Sequence, residues 1–423
     1  MKSRLAVEGA TLRCARQAEI LRRALSAGVA MLSRLIALAL LLLPAPALAG
    51  VKEEVAALAP SGSVLVLDSA GNALVAQNAD QPFVPASVAK IVTAWLAMEV
   101  LGGDYRFETR FYLDDKRVLY VKGGGDPFLI SEELAPLAAE LVARIGKAPI
   151  TGMVLNASYY PSNIRIPGIE DSDEAYDALN SALAVNFNTI HAVRKGRTVR
   201  SAEKQTPITP LAISQFRARG AQGRHRISLT QDPAVGLQYA GELIAAFIER
   251  AGGSVKGKIS TGAVPEGLEP VYVHRQSRAL SAILAELLLG SNNYIANQVF
   301  LEIGGHRLGG PVSLEKSLQV ANEMLATHGL AESIHLEEGS GISRGNRFAA
   351  RGLAQVLHFF EPHAALLRVG DGARFKTGTF SGVRTLAGYA DTSKHGRVRF
   401  VISLTSNDGA MRFRLLKAIQ AGL

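Results

Sequence analysis

Apolar residues along this chain fall into runs of two periods, one near two and one near 3.6, and the switches between them outline the elements. Residues 63–68 form a short apolar run that reads as a strand. Gly71 and Asn72 then signal a turn, and residues 73–76 return as a second strand. Pro82 and Pro85 break the chain. From about Ser87, the residues Ile91, Val92, Trp95, Leu96 and Val100 recur at helical spacing until Gly102 and Gly103 stop the pattern. Strands are expected at 107–113 and 117–121, with Gly123, Gly124 and Gly125 making a tight turn before a helix over 131–145. Residues 158–210 are mixed, rich in turn signals. A strand follows at 227–229, then a helix over 234–251 closed by Gly252 and Gly253. Two apolar helical runs, 279–289 and 294–303, are separated by the polar break Gly290, Ser291, Asn292, Asn293. Further helices are expected at 312–328 and 349–360. The chain closes with strands at 376–379, 385–390 and 397–404, a hairpin turn at 391–396 and a short helix over 411–421.

Strands at both ends with helices between them predict an α+β fold, an α/β three-layer sandwich whose sheet is assembled from both termini. The expected domains are 50–104 together with 271–423, and an inserted mixed α/β region at 105–270. The length of 423 residues accommodates that division.

The first 49 residues read as an export leader. Arg34 precedes an apolar run at 35–43, and Ala47, Leu48, Ala49 supply a small-residue cleavage site. The stretch before Met31 makes an unusually long basic region, so Met31 is a candidate for the true start. The leader holds seven Lys/Arg and two acids, so its removal takes the net charge from +9 to +4. That residual charge does not argue for nucleic acid. The single cysteine, Cys14, lies in the leader, which leaves the rest of the chain without disulfide, thiolate nucleophile or cysteine metal site. The histidines lack metal-ligand spacing and Gly123–Gly125 lacks a following Gly-Lys-Ser/Thr, so no metal or other cofactor is implied. A cleaved leader implies periplasmic location, with an uncleaved anchor as the alternative. The short helix over 411–421 offers no strong membrane anchor, so at most peripheral membrane association is expected.

Three short motifs occur in order: Ser87-x-x-Lys90, Ser291-x-Asn293 and Lys376-Thr377-Gly378. Each alone has a plain structural reading. The first can be a helix start with a surface lysine (Ser201-x-x-Lys204 and Ser313-x-x-Lys316 also match), the second an inter-helix turn, the third a strand start. Together they form the set known from penicillin-binding proteins and class A β-lactamases. At i and i+3 on a helix, Lys90 reaches the Ser87 hydroxyl, and a lysine serves as base once burial or a neighbouring cation such as Lys376 lowers its pKa. Ser291 is placed to relay a proton between Lys90 and a leaving amine, and Asn293 to orient Lys90 or hold the substrate. Lys376 and Thr377 suit a carboxylate, Gly378 the close approach of a substrate backbone, and the Thr379 N–H an oxyanion hole shared with Ser87.

Longer stretches carry a family resemblance. Val121 to Pro127, Ala184-Val185-Asn186-Phe187-Asn188, Gly339-Ser340-Gly341-Ile342-Ser343-Arg344 and Ser381 to Tyr389 make the chain similar to the class C low-molecular-mass penicillin-binding proteins, serine D-Ala-D-Ala carboxypeptidase/endopeptidases. The resemblance implies a transpeptidase/β-lactamase-like domain with a large insert between the first and second motifs. It implies acylation of Ser87 by peptidoglycan stem peptides or β-lactam antibiotics, with Lys90 as base. The chain departs from the family in reading Ser-Asn-Asn at the second motif, where Ser-Asp-Asn is usual, and in a shortened segment before Lys376 of which Asp371-Gly372 is the remnant. A class A-like β-lactamase would need a glutamate four residues before an asparagine, and the residue four before Asn180 is Tyr176. An esterase of the same fold, and a wall-binding scaffold that keeps the pocket with weak turnover, stay as alternatives.

Overall fold

The computed structural model describes residues 50–423 apart from Asn163, Ala221, Thr230 and Gln231. The leader read at 1–49, with Cys14 and Met31, lies outside the described residues.

The chain's two ends meet in one antiparallel sheet of six strands. Its order is Arg368–Gly370, Ala373–Phe380, Val383–Thr392, Gly396–Thr405, Ser63–Leu67 and Ala73–Gln77. Ser63–Leu67 pairs directly with Gly396–Thr405, so residues more than 330 apart in sequence are neighbours (Ser63 opposite Ser403). The period of two decides which layer each side chain enters. Val64, Val66, Phe400, Ile402 and Leu404 point to one core shared with helices Val51–Leu58 and Met411–Gly422. Leu65, Leu67 and Val401 point to the other, packed under Ala89–Leu101, Leu280–Gly290, Asn293–Leu308 and Ala350–Phe360. Helix, sheet and helix form the three layers expected. Ala89–Leu101 is buried on every side over its first nine residues, which is why its apolar pattern is continuous.

A second sheet has the order Pro270–Arg275, Glu108–Leu113, Val118–Gly123, Gly152–Asn156, Ile259–Thr261. Its first pairs are antiparallel and its last two parallel. Helices Ser131–Ile145 and Pro233–Arg250 cover it with a separate core that includes Phe111, Leu141, Leu243 and Phe247. A third, three-stranded sheet orders Thr198–Ser201, Thr189–Lys195, Gly223–Ser228, backed by helix Pro210–Ala218.

Some bounds differ from the sequence reading. The strand expected at 227–229 is the end of a longer one, Gly223–Ser228. Strands at Gly152–Asn156, Thr189–Lys195 and Ile259–Thr261 stand in stretches with no strand expected. The shortened segment before Lys376 is a hairpin in which Gly370 pairs with Ala373 across Asp371 and Gly372, at φ +49° and +67°. Two positive φ values are what a two-residue turn between twisted strands demands, and Asp-Gly supplies them.

Candidate active site

A strained turn presents Ser87. Ala86 sits at φ +49°, a left-handed conformation costly for a residue with a Cβ, and opens a single 3-10 turn (Ala86–Val88) that runs into Ala89–Leu101. Two glycines make room for it. A Cβ on Gly341 would lie 2.0 Å from the Ala86 carbonyl oxygen; one on Gly378 would lie 2.2 Å from Thr385 Oγ1 and 2.7 Å from the Pro85 oxygen. Thr385 Oγ1 donates to that same Pro85 carbonyl at 2.8 Å, tying the turn to the sheet. The lack of a side chain at Gly378 thus seats the Ser87 turn against the strand, a role beside the close approach of a substrate backbone expected there.

Lys90 follows one turn later and is fully buried. Its Nζ lies 3.1 Å from Ser87 Oγ, 2.8 Å from Asn293 Oδ1 and 2.7 Å from the Ser340 carbonyl oxygen. Burial, then the charge of nearby Lys376, push Lys90 down to about 7, against the upward pull of Glu338. A neutral amine has two N–H bonds and one lone pair. Asn293 and Ser340 accept the two N–H bonds, which leaves the lone pair facing the Ser87 hydroxyl.

Ser291, at φ +58°, ends the helix Leu280–Gly290 in a left-handed cap. Its Oγ accepts from Lys376 Nζ at 2.8 Å, and Lys376 also donates to the Thr377 carbonyl at 3.1 Å. Burial, followed by the charges of Arg412 and Arg368, pushes Lys376 down to about 8. The hydrogen bonds thus divide differently from the expected relay: Ser291 pairs with Lys376, while Lys90 holds Ser87, Asn293 and Ser340. Between Ser291 and Asn293, Asn292 turns its side chain to accept from the Ile295 N–H at 3.1 Å and caps the helix Asn293–Leu308. Aspartate caps equally well, so the departure from Ser-Asp-Asn falls on a helix end and not on the reacting groups.

These groups open onto a cavity of about 640 Å³ lined by Ser87, Ser291, Asn293 and Thr379, with Tyr176, Gly341 and Arg344 among its walls. Lys90 and Lys376 act on it through the side chains they bond. Thr379 is the threonine of the third motif that lines the cavity; Thr377, Lys376 and Gly378 are not among the lining residues.

Three participants have no motif of their own. Glu338 is fully buried and accepts six hydrogen bonds, from Asn297 Nδ2, the N–H and hydroxyl of Ser340, the N–H groups of Gly341 and Ser343, and Asn346 Nδ2. It shapes the loop that aims the Ser340 carbonyl at Lys90. The sequence marks this loop only through the family resemblance of 339–344 and the glycines flanking Ser340, and neither shows the role of Ser340, because the contact uses a backbone atom. Arg412, on the last helix, donates from Nη1 to the Gly378 carbonyl (2.7 Å), Thr379 Oγ1 (3.1 Å) and the Thr385 carbonyl (3.3 Å).

Residues 52–234 and 221–371 match the D-Ala-D-Ala carboxypeptidase 3 (S13) family. The chain belongs to that family. It is 28% identical, over 86% of its own length and 81% of the relative's, to a D-alanyl-D-alanine carboxypeptidase of Actinomadura sp. (strain R39). In fold it is similar to penicillin-binding protein 4 (dacB) from Haemophilus influenzae, with a TM-score of 0.71 at 20% identity over 87% of this chain and 98% of that one. The Haemophilus protein has also been solved complexed with a novel β-lactam. A predatory peptidoglycan endopeptidase from Bdellovibrio bacteriovorus shares the fold at a TM-score of 0.51 and 19% identity, covering 84% of this chain and 90% of that one.

Proposed function

We propose that this S13-family protein hydrolyses D-Ala-D-Ala ends or cross-links of peptidoglycan stem peptides through an acyl-enzyme on Ser87, and that β-lactams acylate the same serine. The observation that carries the reading is the position of Lys90 Nζ within hydrogen-bond distance of Ser87 Oγ, Asn293 Oδ1 and the Ser340 carbonyl; in the neutral amine the last two take its N–H bonds and leave the lone pair for Ser87. In the first step Lys90 takes the Ser87 proton as Oγ attacks the carbonyl of the penultimate D-Ala. The backbone N–H groups of Ser87 and Thr379 receive the developing oxyanion. The proton taken up by Lys90 returns through the Ser291 hydroxyl to the departing amine, which leaves Lys90 neutral again, while Lys376 keeps its proton and supplies positive charge for the terminal carboxylate. Strand residues 376–380 are paired on one side only, since Arg368–Gly370 reaches no further than Phe375. Their free edge suits an extended substrate backbone. Water, giving its proton to Lys90, then attacks the acyl carbonyl, and that proton passes to Ser87 Oγ as the product carboxylate leaves.

The reading carries two further proposals. Residues 50–104 and 271–423 act as the catalytic domain and 105–270 as an insert, whose sheet also takes in the strand Pro270–Arg275. The substrate lies outside the cytoplasmic membrane, so residues 1–49 act as an export signal and the protein works in the periplasm. Among the described residues no helix is long and apolar enough to cross a membrane.

The test is covalent labelling with a fluorescent penicillin, together with D-Ala release from diacyl-lysyl-D-Ala-D-Ala. Wild type should label and release D-Ala, and Ser87→Ala should do neither while staying folded. No label on folded wild type would overturn the acylation mechanism. A stable label without D-Ala release would favour the scaffold.

A further inference from the structure

Charge is distributed very unevenly over this protein. Residues 191–226 hold nine Lys/Arg and one acid, a net of +8, whereas the rest of 50–423 holds 30 Lys/Arg and 34 Asp/Glu, a net of −4. The basic segment is the three-stranded sheet and its helix. Cross-strand partners in a sheet share a face. Arg200 and Arg224 stand on either side of Val193, and Arg226 stands beside His191. Ile190, Ala192, Val199 and Ile227 point the other way, into the core. The outward face therefore shows Arg200, Arg224 and Arg226, all exposed. Beside it, the hairpin end carries exposed Lys195 and Arg197, next to Arg217, which donates to the Arg197 carbonyl at 2.8 Å.

Within the segment a single carboxylate, Glu203, offsets this charge, and the acidic run at 170–177 abuts it at the Ser228 end of the strand Gly223–Ser228. Glu203 pairs with Arg226 (2.5 Å) and His191 (3.0 Å), and Asp173 pairs with Arg219. Lys195, Arg197, Arg200, Lys204, Arg217 and Arg224 have no carboxylate partner among the described ion pairs. Like charges gathered on one sheet face repel and cost stability, so an anion brought against this segment from outside is stabilising. None of these residues lines the Ser87 cavity.

We propose that this sheet face is an electrostatic docking surface for an anionic phospholipid bilayer. Three features favour a bilayer. The patch is an open sheet face rather than a cleft. Its cations are mostly arginines, whose planar forks match phosphate oxygens two at a time. It carries little exposed apolar surface to insert, so it suits adsorption to headgroups and not penetration. Docking would hold the enzyme at the membrane surface while the Ser87 cavity stays open to substrate. The inference does not depend on the proposed chemistry.

The test is co-sedimentation of the protein, purified as the cell exports it, with vesicles of phosphatidylcholine alone and of phosphatidylcholine containing phosphatidylglycerol. Wild type should bind only the anionic vesicles and should come off as salt is raised, because the Debye length shrinks to about 3 Å at 1 M. A leader still attached would bind both vesicle types, so the neutral arm isolates the patch. Arg197→Glu/Arg200→Glu/Arg224→Glu should lower anionic-vesicle binding by at least about tenfold, given the additive attraction of each basic residue near the surface. The milder Lys195→Gln/Arg200→Gln/Lys204→Gln should weaken it in the same direction. Penicillin labelling should be unchanged in both, which shows that the fold is intact. Absence of anionic-vesicle binding, binding that survives in both variants, or salt-sensitive binding to isolated wall sacculi but not to vesicles would each overturn the proposal.

Discussion

Asn293 Oδ1 accepts a 2.8 Å hydrogen bond from Lys90 Nζ across 203 residues of sequence, and it does so as a neutral amide. That neutrality matters. A carboxylate at the same place would favour the ammonium form and raise the lysine's pKa by about 1–3 units. Asn293→Asp should therefore lower acylation by a β-lactam about tenfold or more near pH 7 and recover as pH rises. Asn293→Ala, which loses the orientation, should stay slow at every pH. Stopped-flow acylation over pH separates the two; an Asn293→Asp profile parallel to wild type would mean that the amide does not tune Lys90.

The wild-type pH profile should be a bell. Lys90 titrates at about 7 and acts as base only when neutral, so acylation rises as pH passes that value. Lys376 titrates at about 8 and attracts a carboxylate only when charged, so turnover of D-Ala-D-Ala substrates falls above it. The falling limb should appear mainly in KM, and a substrate without the terminal carboxylate should lose it. A rising limb at the ordinary lysine value near 10 would show that burial and Lys376 do not lower Lys90, and the absence of any rising limb would show that Lys90 is not the base.

Glu338 offers a sharper check on the same lysine. Its charge pulls the Lys90 pKa upward while its six hydrogen bonds hold the loop that carries Ser340. Glu338→Gln removes the charge, so the acid limb of the bell should move to lower pH. It also sets an NH₂ group against donors, at a cost of about 1–3 kcal/mol for each group left unsatisfied, so the melting temperature should fall. A fall in melting temperature with an unmoved limb would reduce Glu338 to a loop support.

The parts of this molecule legible from sequence are those whose signal is local. Ser63–Leu67 shows its strand as a short apolar run, and Ser87 and Lys90 show their shared face by spacing. Ile259–Thr261 carries no such signal: three half-buried or exposed residues form a strand because Met153, Val154 and Leu155 lie alongside. Ser340 acts through its carbonyl, which no side-chain pattern reveals. Gly378 announces a close approach but not by what; only the fold shows that Pro85 and Thr385 are the intruders.

That crowding makes Gly378→Ala a test of how firmly the Ser87 turn is seated. The new methyl meets Thr385 Oγ1 and the Pro85 carbonyl inside contact distance and must push the turn off the strand. Overpacking of this kind costs about 1–3 kcal/mol, and a displacement of about 1 Å at a reacting group can cost about a hundredfold in rate. Slowed acylation with a modest loss of stability is expected. Unchanged acylation would show that the turn yields without moving Ser87.

Arg412 joins the last helix to the site strand, and its charge acts on Lys376 as well as its hydrogen bonds. It donates to the Gly378 and Thr385 carbonyls and to Thr379 Oγ1, and after burial it is the largest influence pushing Lys376 down. Arg412→Gln keeps a donor but removes the cation, so Lys376 should hold its proton to higher pH. The falling limb of the bell should then shift upward while the rising limb, set by Lys90, stays in place. Arg412→Lys keeps the charge but loses the fork, so it should leave the limb near its wild-type position and show a loss of kcat instead, through a looser Thr379 N–H. If both variants move both limbs together, Arg412 acts only by supporting the strand, and its charge has no separate part in tuning the site.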